Sequence, residues 1–552
     1  MACGPPLFFG STTGLEDGIL RADVVVIGSG GAGLVAACAA QESGKNVVLV
    51  TKSRAGVANC TAYAGGGFTL PSGKVSISDH RRMTLETGRF LNVPYMLESL
   101  SSEAQASVRE LERFGVKLKF SDGHASCTEE AVSAMMGGSG MTLPLVRHAR
   151  NSGVTIRENA IVSGILTDDK GVTGVSVLDC NDGQHLHVHA KAVILASGGA
   201  GRLYSRTDNP ARTTGDGYAL LYDMGVPLVD MEFVQFYPMG FAEEGFPVWM
   251  IGLQMADVAP VTNSRGEQFL KQFWNEIGIA DGRQANLLAR DMSARRIASE
   301  WKRGEKVLLH VEDAPEEVWQ TRYGRMLKSM FPRNRQPLEG PVMVQPVQHY
   351  FIGGALVNED TTTRVPGLFA CGEVTGGTDG ANRVGGNALS MISVFGLRAA
   401  RSALRYVEDL GCTQTAGERG AHPGDNMKRR WQTNAEGPTP AEFKRRINKI
   451  ADNDLFVVRS ASGLRNAVDR FDELEAQIAS MCVKNGRQVM EAYEALNLVK
   501  VGQMVARAAL MRTESRGVHM REDYPDEHEK WLRHVEIARI HGRMRVRTVE
   551  IE

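Results

Sequence analysis

The earliest strong pattern in the chain is "RADVVVIGSGGAGLVAACAAQESGKNVVLVTKS", where an apolar β-branched run, a glycine cluster, a run of small residues and a second apolar run follow one another. Short apolar runs bounded by glycine read as buried strands, and the small-residue run reads as a helix packed closely on them. The stretch predicts strand, turn, helix, strand, the βαβ unit of a dinucleotide-binding domain. Residues 154–197 carry short alternating runs broken by "DDKG" and "NDGQ" and end in "AVILASGGAG", which predicts a β-meander feeding another buried strand. From about 226 to 345 the glycine clusters thin out, and prolines, aromatics and helical stretches such as "ARDMSARRIASEWKRG" take over. The strand-before-glycine pattern then returns in "TRVPGLFACGEVTGG", so one domain interrupted by an insertion is predicted. Beyond about 435, "AEFKRRINKIADNDLFVVRS" and "VMEAYEALNLVKVGQMVARAALMR" predict a small helical bundle. The expected layout is an α/β, Rossmann-like domain in two pieces (1–225 and 346–414), an inserted α+β capping domain (226–345), and a C-terminal helical domain and tail (435–552). "TAGERGAHPGDN" at 415–426 is the best linker.

Length agrees with this division, because 552 residues exceed one ordinary core and about two to four domains are expected. The 60 glycines, spread over several clusters, suggest backbone brought close to a large ligand. A net charge of −1 argues against a nucleic-acid binder working through bulk electrostatics. Apolar runs such as "DVVVIG" and "AVILA" are strand-sized, so no membrane span is expected. The first twenty residues lack a basic start followed by an apolar core, which points away from a secretory signal and to a cytoplasmic or cytoplasm-facing location.

Eight cysteines, at positions 3, 38, 60, 127, 180, 371, 412 and 482, include no C-x-x-C pair, so neither a disulfide framework nor an iron–sulfur cluster is indicated within the chain. Electrons that pass through must be carried by another subunit or a substrate. His185, His187 and His189 would share one face of a strand. A solvated hairpin edge is the favoured reading over a metal site, and no metal is assigned.

The glycine turn Gly28-Ser29-Gly30-Gly31-Ala32-Gly33 lets backbone approach a pyrophosphate at a helix N-terminus. At the end of the second strand stand Thr51 and Lys52 rather than the acid that binds a nicotinamide-linked ribose, so a flavin nucleotide is preferred. "SRAGVANCTAYAGGGF", with Asn59, Cys60, Thr61, Gly65, Gly66 and Gly67, is a second glycine-rich segment suited to pass against a flat ring system. A helix starting at "NALSM" can aim backbone N–H groups at the ring edge where negative charge accumulates on reduction.

Taken in order, "IGSGGAGL", "TGDGYAL", "EFVQF", "ARDMSAR", "HYFIGG", "GLFACGEVTGGTDGANRVGGNAL" and "RTESRGVHMREDYP" resemble the flavoprotein subunits of succinate dehydrogenase and fumarate reductase, a family that also contains L-aspartate oxidase. The resemblance runs from Asp23 to about Leu532. It implies FAD held by the first glycine turn, by the segment from Lys52 to Gly67, by Asp216, by Glu373 on the ribityl chain, and by Asn387, Ala388 and Leu389 near the ring. It further implies that Arg383 and His349 grip a substrate carboxylate, and that Arg290 protonates one alkene carbon while hydride passes between flavin N5 and the other. The plainer reading of Arg290 is a helix-surface arginine paired with Asp291 or Glu300.

Three departures from the family pattern matter. Cys60 stands where the membrane-bound members carry a flavin-linked histidine, so noncovalent FAD is expected. Tyr237-Pro238-Met239 replaces His-Pro-Thr, so the far end of the substrate is expected to be less anionic or bulkier, with Tyr237 donating one hydrogen bond and Met239 giving apolar contact. The family's proton-relay glutamates have no counterpart, and Asp257 is the available substitute. The expected activity is hydrogen transfer across a carbon–carbon bond beside a carboxylate or acyl group, with Arg290 or Tyr237 handling the proton and an iron–sulfur subunit exchanging electrons. An amino-acid oxidase of the L-aspartate oxidase kind and a non-catalytic electron-carrying flavoprotein are the alternatives.

Overall fold

A computed structural model describes residues 19–128, 137–181, 183–411, 431 and 436–551; the 415–426 stretch lies outside them. Val24, Val25 and Val26 are fully buried, as a strand covered on both faces requires. They belong to Ile19–Ile27, at the middle of a seven-stranded sheet. Thr155–Arg157, Val47–Val50, Ile19–Ile27 and the long strand His185–Leu195 lie parallel in that order. Beyond them the meander Ala160–Asp168, Gly171–Asp179 and His185–Leu195 runs antiparallel. Leu368–Ala370 pairs in parallel with the far end of His185–Leu195, so the segment after the insertion rejoins the same sheet. Helices Gly31–Glu42 and Asn387–Leu410 pack against each other over it.

The three histidines sit on an internal strand, paired on both sides, and not on a hairpin edge. They alternate along it half-buried, because the neighbouring strands cover their backbone. Among the described residues no group of three or more His, Cys, Asp or Glu is placed to hold a metal ion.

A second hydrophobic core, with Met239, Trp274 and Ile297 fully buried, forms between residues 239 and 344. Its sheet is antiparallel, in the order Val234–Phe241, Val342–Phe351, Val307–Leu309, Val261–Asn263, and the helix Arg290–Lys302 packs on it. Val234–Phe241 and Val342–Phe351 extend past this core to the first domain, and they carry Gln235, Tyr237 and His349 to the junction.

After residue 435 the helices Pro440–Asp454, Ala461–Gln477 and Gly486–Met511 pack on one another. The expected helical character does not reach the end of the chain: His534–Ile540 and Arg543–Val549 form a hairpin that pairs with Leu228–Val229. The alternation of exposed and half-buried positions along "RMRVRTV" shows why, since Met544, Val546 and Thr548 fall on one face of a strand and the three arginines on the other.

The hairpin is tied down by a buried ion network. Arg512, fully buried, lies 2.6 Å from Glu232, 3.2 Å from Glu514 and 3.5 Å from Asp230. His534 Nδ1 lies 2.5 Å from Asp230. Removing one partner of such a network strands a buried charge. An Arg512→Leu protein is therefore expected to lose about 3–5 kcal/mol of stability, seen as a lowered urea midpoint at unchanged slope; a midpoint like that of the parent would contradict the assignment.

Candidate active site

The first glycine turn owes its shape to contacts that no side chain could make. Gly28 has φ +107°, and a Cβ on it would stand 2.4 Å from the Ala196 carbonyl oxygen. Gly33 allows the helix to touch the strand, because a Cβ there would lie 2.0 Å from the Gly28 oxygen. The helix starts at Gly31 with no side-chain cap, leaving N–H groups for an anion. The second glycine-rich segment is pinned on this turn by Asn59 Nδ2 donating to the Ser29 oxygen at 3.3 Å and by the Gly31 N–H donating to Thr61 Oγ1 at 3.0 Å. Thr51 and Ser29 share a hydroxyl hydrogen bond of 2.8 Å.

Both segments line a single cavity of about 1140 Å³. So do all the sequence-predicted cofactor and catalytic residues except Gly33, which packs helix on strand, and Asn387. Asn387 turns away from the cavity: its amide bonds Thr84 Oγ1 at 3.0 Å and His80 Nε2 at 3.1 Å. It is therefore a helix anchor and not a cofactor contact. The helix start itself does face the cavity, through Ala388 and Leu389. Its N-cap Gly386 has φ +87° and no side-chain cap, and a Cβ there would meet Thr69 Oγ1 at 2.4 Å.

Polar groups along the cavity are tuned by burial. Glu373, 8 % exposed, accepts from the Phe351 N–H at 3.0 Å, and burial pushes its carboxyl up to about 7. Lys52 lies 2.6 Å from Asp216 and 3.2 Å from Glu494; burial alone would lower its pKa, but the two carboxylates outweigh that and hold it up. Burial, with Glu373 nearby, drives the Cys60 thiol well above its ordinary range, so Cys60 is a neutral thiol resting 3.4 Å from Asn209 Oδ1. These features fit a flavin dinucleotide. The glycine turn would supply pyrophosphate donors, Glu373 a hydroxyl partner, and the uncapped helix that starts at Asn387 backbone N–H groups for the ring.

At the junction with the second core four predicted catalytic residues meet. Arg383 Nη2 donates to Gln235 Oε1 at 3.0 Å, and Arg290 Nη1 donates to the same oxygen at 3.3 Å. Arg383 stacks over the Tyr350 ring at 4.2 Å and Arg290 over the Tyr237 ring at 5.3 Å. His349 packs edge-on against Tyr237, centroids 5.7 Å apart, and its Nδ1 lies 2.8 Å from Asp208 Oδ2, which places the proton on Nδ1. Both arginines are 6 % exposed, and neither forms an ion pair with a described carboxylate. Arg290 Nε and Arg383 Nε have no hydrogen-bond partner. Two buried guanidinium groups sharing one neutral amide oxygen form an anion site. Burial, then repulsion from Arg383, pulls Arg290 down to about 10.

Four expectations are corrected here. Arg290 is not a surface arginine paired with Asp291 or Glu300: Asp291 bonds Asn382 and Arg295, and Glu300 bonds Asn263 and Arg303. Tyr237 has no free hydroxyl, because it donates to Asn286 Oδ1 at 2.8 Å and accepts from the Leu253 N–H at 3.2 Å. Met239 belongs to the second core and does not line the cavity. Asp257 also fails as a relay, since its carboxylate accepts from the Gly282 N–H at 2.9 Å and lies off the cavity wall. Sequence reasoning missed Gln235, Asn286 and Asp208, which hold the arginines and the histidine in place. Only Gln235 lay inside a quoted motif, and Asn286 sits four residues ahead of Arg290.

Comparisons with known proteins agree with this architecture. A model described as FAD binding domain matches residues 23–389, and one described as fumarate reductase flavoprotein C-term matches 444–552. The chain is 32% identical to L-aspartate oxidase of Streptomyces coelicolor, over 94% of this chain and 91% of that protein. It is 27% identical to the fumarate reductase flavoprotein subunit of Haemophilus influenzae, over 93% of this chain and 91% of that one. A solved chain of Mycobacterium smegmatis Sdh1 in complex with UQ1 superposes with a TM-score of 0.82 at 29% identity, covering 96% of this chain and 94% of the other. The chain thus belongs to the FAD-dependent oxidoreductase family of fumarate reductase and succinate dehydrogenase flavoproteins, which includes L-aspartate oxidase.

Proposed function

We propose that the protein transfers hydrogen across a carbon–carbon bond adjacent to a carboxylate, with the acid held by Arg383 and His349 and the proton supplied by Arg290. The observation that carries this reading is the pair of buried arginines on one neutral oxygen, a charge arrangement that a carboxylate completes. Bound FAD supplies hydride-transfer chemistry at N5. The planar fork of Arg383 suits bidentate contact with the acid, and Gln235 fixes the direction of both forks. Asp208 orients His349 so that Nε2 turns to the substrate. Arg290 sits low enough in pKa to act as an acid toward a strongly basic carbon. Tyr237 supports Arg290 from below through its ring face.

The neutral Cys60 thiol supports noncovalent FAD, so acid precipitation is expected to release all the flavin to the supernatant; yellow pellet would contradict this. For electron exchange we infer an iron–sulfur partner subunit. No helix of the described residues is long and apolar enough to cross a membrane, and a cytoplasmic position, reaching a membrane through partners, is the accompanying proposal.

His349 brings a pH dependence. Burial lowers its pKa below 6.5 despite Asp208. With Nδ1–H directed at Asp208, the neutral ring presents only a lone pair to a carboxylate, so tight binding needs the imidazolium. The bound acid raises the histidine pKa, and binding takes up a proton. KM is expected to be flat below the free histidine pKa, to rise with pH from below 6.5, and to level off above the raised value. His349→Gln should abolish this slope; a slope retained in the variant would assign it to another group.

The overall reading is tested by mixing anaerobically reduced protein with fumarate, other unsaturated acids and acyl thioesters in a stopped-flow instrument. Rapid flavin reoxidation by an unsaturated acid supports it. Reoxidation by none of them would make the chain a non-catalytic electron carrier, and reduction of the oxidised protein by L-aspartate would make it an amino-acid oxidase.

A further inference from the structure

The cavity beside the two arginines carries four aromatic rings, Tyr63, Tyr237, Trp249 and Tyr323. The Tyr237 hydroxyl is taken by Asn286 and Leu253, and the Tyr323 hydroxyl accepts from the Gly252 N–H at 2.6 Å. The Trp249 ring lies 5.6 Å from the Tyr63 ring at an angle of 49°. All four rings line the same cavity as Arg290, His349 and Arg383. A wall that grips a second carboxylate needs buried charged donors, and this one presents mostly ring surface, with neutral hydroxyl and indole groups of which that of Tyr237 is already engaged. Besides Lys52, which pairs with Asp216 and Glu494, four further cations reach the cavity: Arg82 and Arg283 are exposed, and Arg212 and Arg322 are half-buried. At such positions water and salt screen the charge, so they draw an acid inward more than they hold its far end.

Resting on the reading of Arg383 and His349 as the carboxylate clamp, we propose that the substrate is a monocarboxylic acid carrying a planar, uncharged ring on the far carbon of the reacting bond, an aryl- or heteroaryl-acrylic acid, with Tyr237, Trp249 and Tyr323 setting this specificity. Ring-on-ring contact and exclusion of water reward the aryl group, whereas a second carboxylate at the same place loses its hydration without gaining donors. In the reduction the double bond takes up one hydride, which carries both electrons, and one proton from Arg290, giving the 3-arylpropanoic acid. In the assay the two electrons come from two equivalents of a reduced viologen dye.

The test uses the full chain loaded with FAD. Oxidised protein is titrated with (E)-cinnamate and with fumarate, binding being read from the shift in flavin absorbance, and viologen-driven turnover is measured with both. Cinnamate is expected to bind on the order of 10–100-fold more tightly than fumarate and to show the higher kcat/KM. Tyr237→His is expected to shrink the cinnamate-to-fumarate ratio at least about tenfold. Trp249→Leu, at a half-buried position, should do so in the same direction if the Tyr237 variant does not fold. Tighter binding or faster turnover of fumarate in the parent protein would overturn the aryl-acid inference and leave the carboxylate clamp standing. An unchanged ratio in both folded variants would overturn the role of the rings. No flavin shift with either acid would overturn the clamp, and the inference with it.

Discussion

An Arg383→Ala protein is expected to keep its full complement of FAD and to lose about 10²–10³-fold or more of kcat/KM for its acid substrate. The guanidinium is 6 % exposed, and its acceptor among the described residues is the Gln235 oxygen that it shares with Arg290. A carboxylate entering this site is stripped of water, so losing its charged partner costs about 3–5 kcal/mol, with each 1.4 kcal/mol a factor of ten. The loss should fall largely on KM. Arg383→Lys should recover little, because a point charge cannot reproduce the two parallel bonds of the fork. Titration of flavin absorbance with the acid, alongside steady-state rates, measures both quantities; unchanged kcat/KM would remove the clamp from the mechanism.

The complementary result is expected at Arg290. Arg290→Gln should lower kcat by about 10²–10⁴-fold, the usual worth of a positioned acid, while the dissociation constant of the acid on oxidised protein rises less than it does in Arg383→Ala. The parent enzyme should also lose kcat/KM as pH rises through about 10, where Arg290 of the free protein gives up its proton, and the variant should lack that limb. The protonated form is the active one, so activity is full below this value and falls above it. A kcat like that of the parent, or an unchanged alkaline limb in the variant, would move the proton donor elsewhere.

The cofactor half of this site was legible in the sequence because its logic is local. A strand, a glycine turn and a helix lie within one short stretch, and steric crowding at Gly28 and Gly386 leaves no other residue type room. The substrate half was less so, and the strand Val234–Phe241 shows why. Gln235, Tyr237 and Met239 should share one face by simple alternation. The register against Val342–Phe351 slips twice, between Gln235 and Phe236 and again between Tyr237 and Gly240. The second slip turns Met239 into the neighbouring core, so its departure from the family pattern is a change in packing and not in substrate contact.

Asn387 failed for a different reason. Its partner His80 is 307 positions away, and nothing near "NALSM" reveals that the amide is already taken. Tyr237 is a third case: its identity was plain, but the engagement of its hydroxyl by Asn286 and Leu253 depends on how two short helices of the second core, Gly282–Leu288 and Leu253–Asp257, fold back. Spacing identified the arginines. Only tertiary structure revealed that they share a single acceptor.

The terminal hairpin sets the order in which this molecule can be finished as it emerges from the ribosome. Asp230 waits for the Val535 N–H and for His534, partners about three hundred positions later. At roughly 5–20 residues per second that interval is about 15–60 s. For most of it Asp230 and Glu232, a few positions ahead of Gln235 and Tyr237, lack Arg512, and the strand edge at Leu228 lacks its mate until the end. A nascent chain halted short of residue 534 would therefore carry a flavin cradle without a settled acid-binding wall.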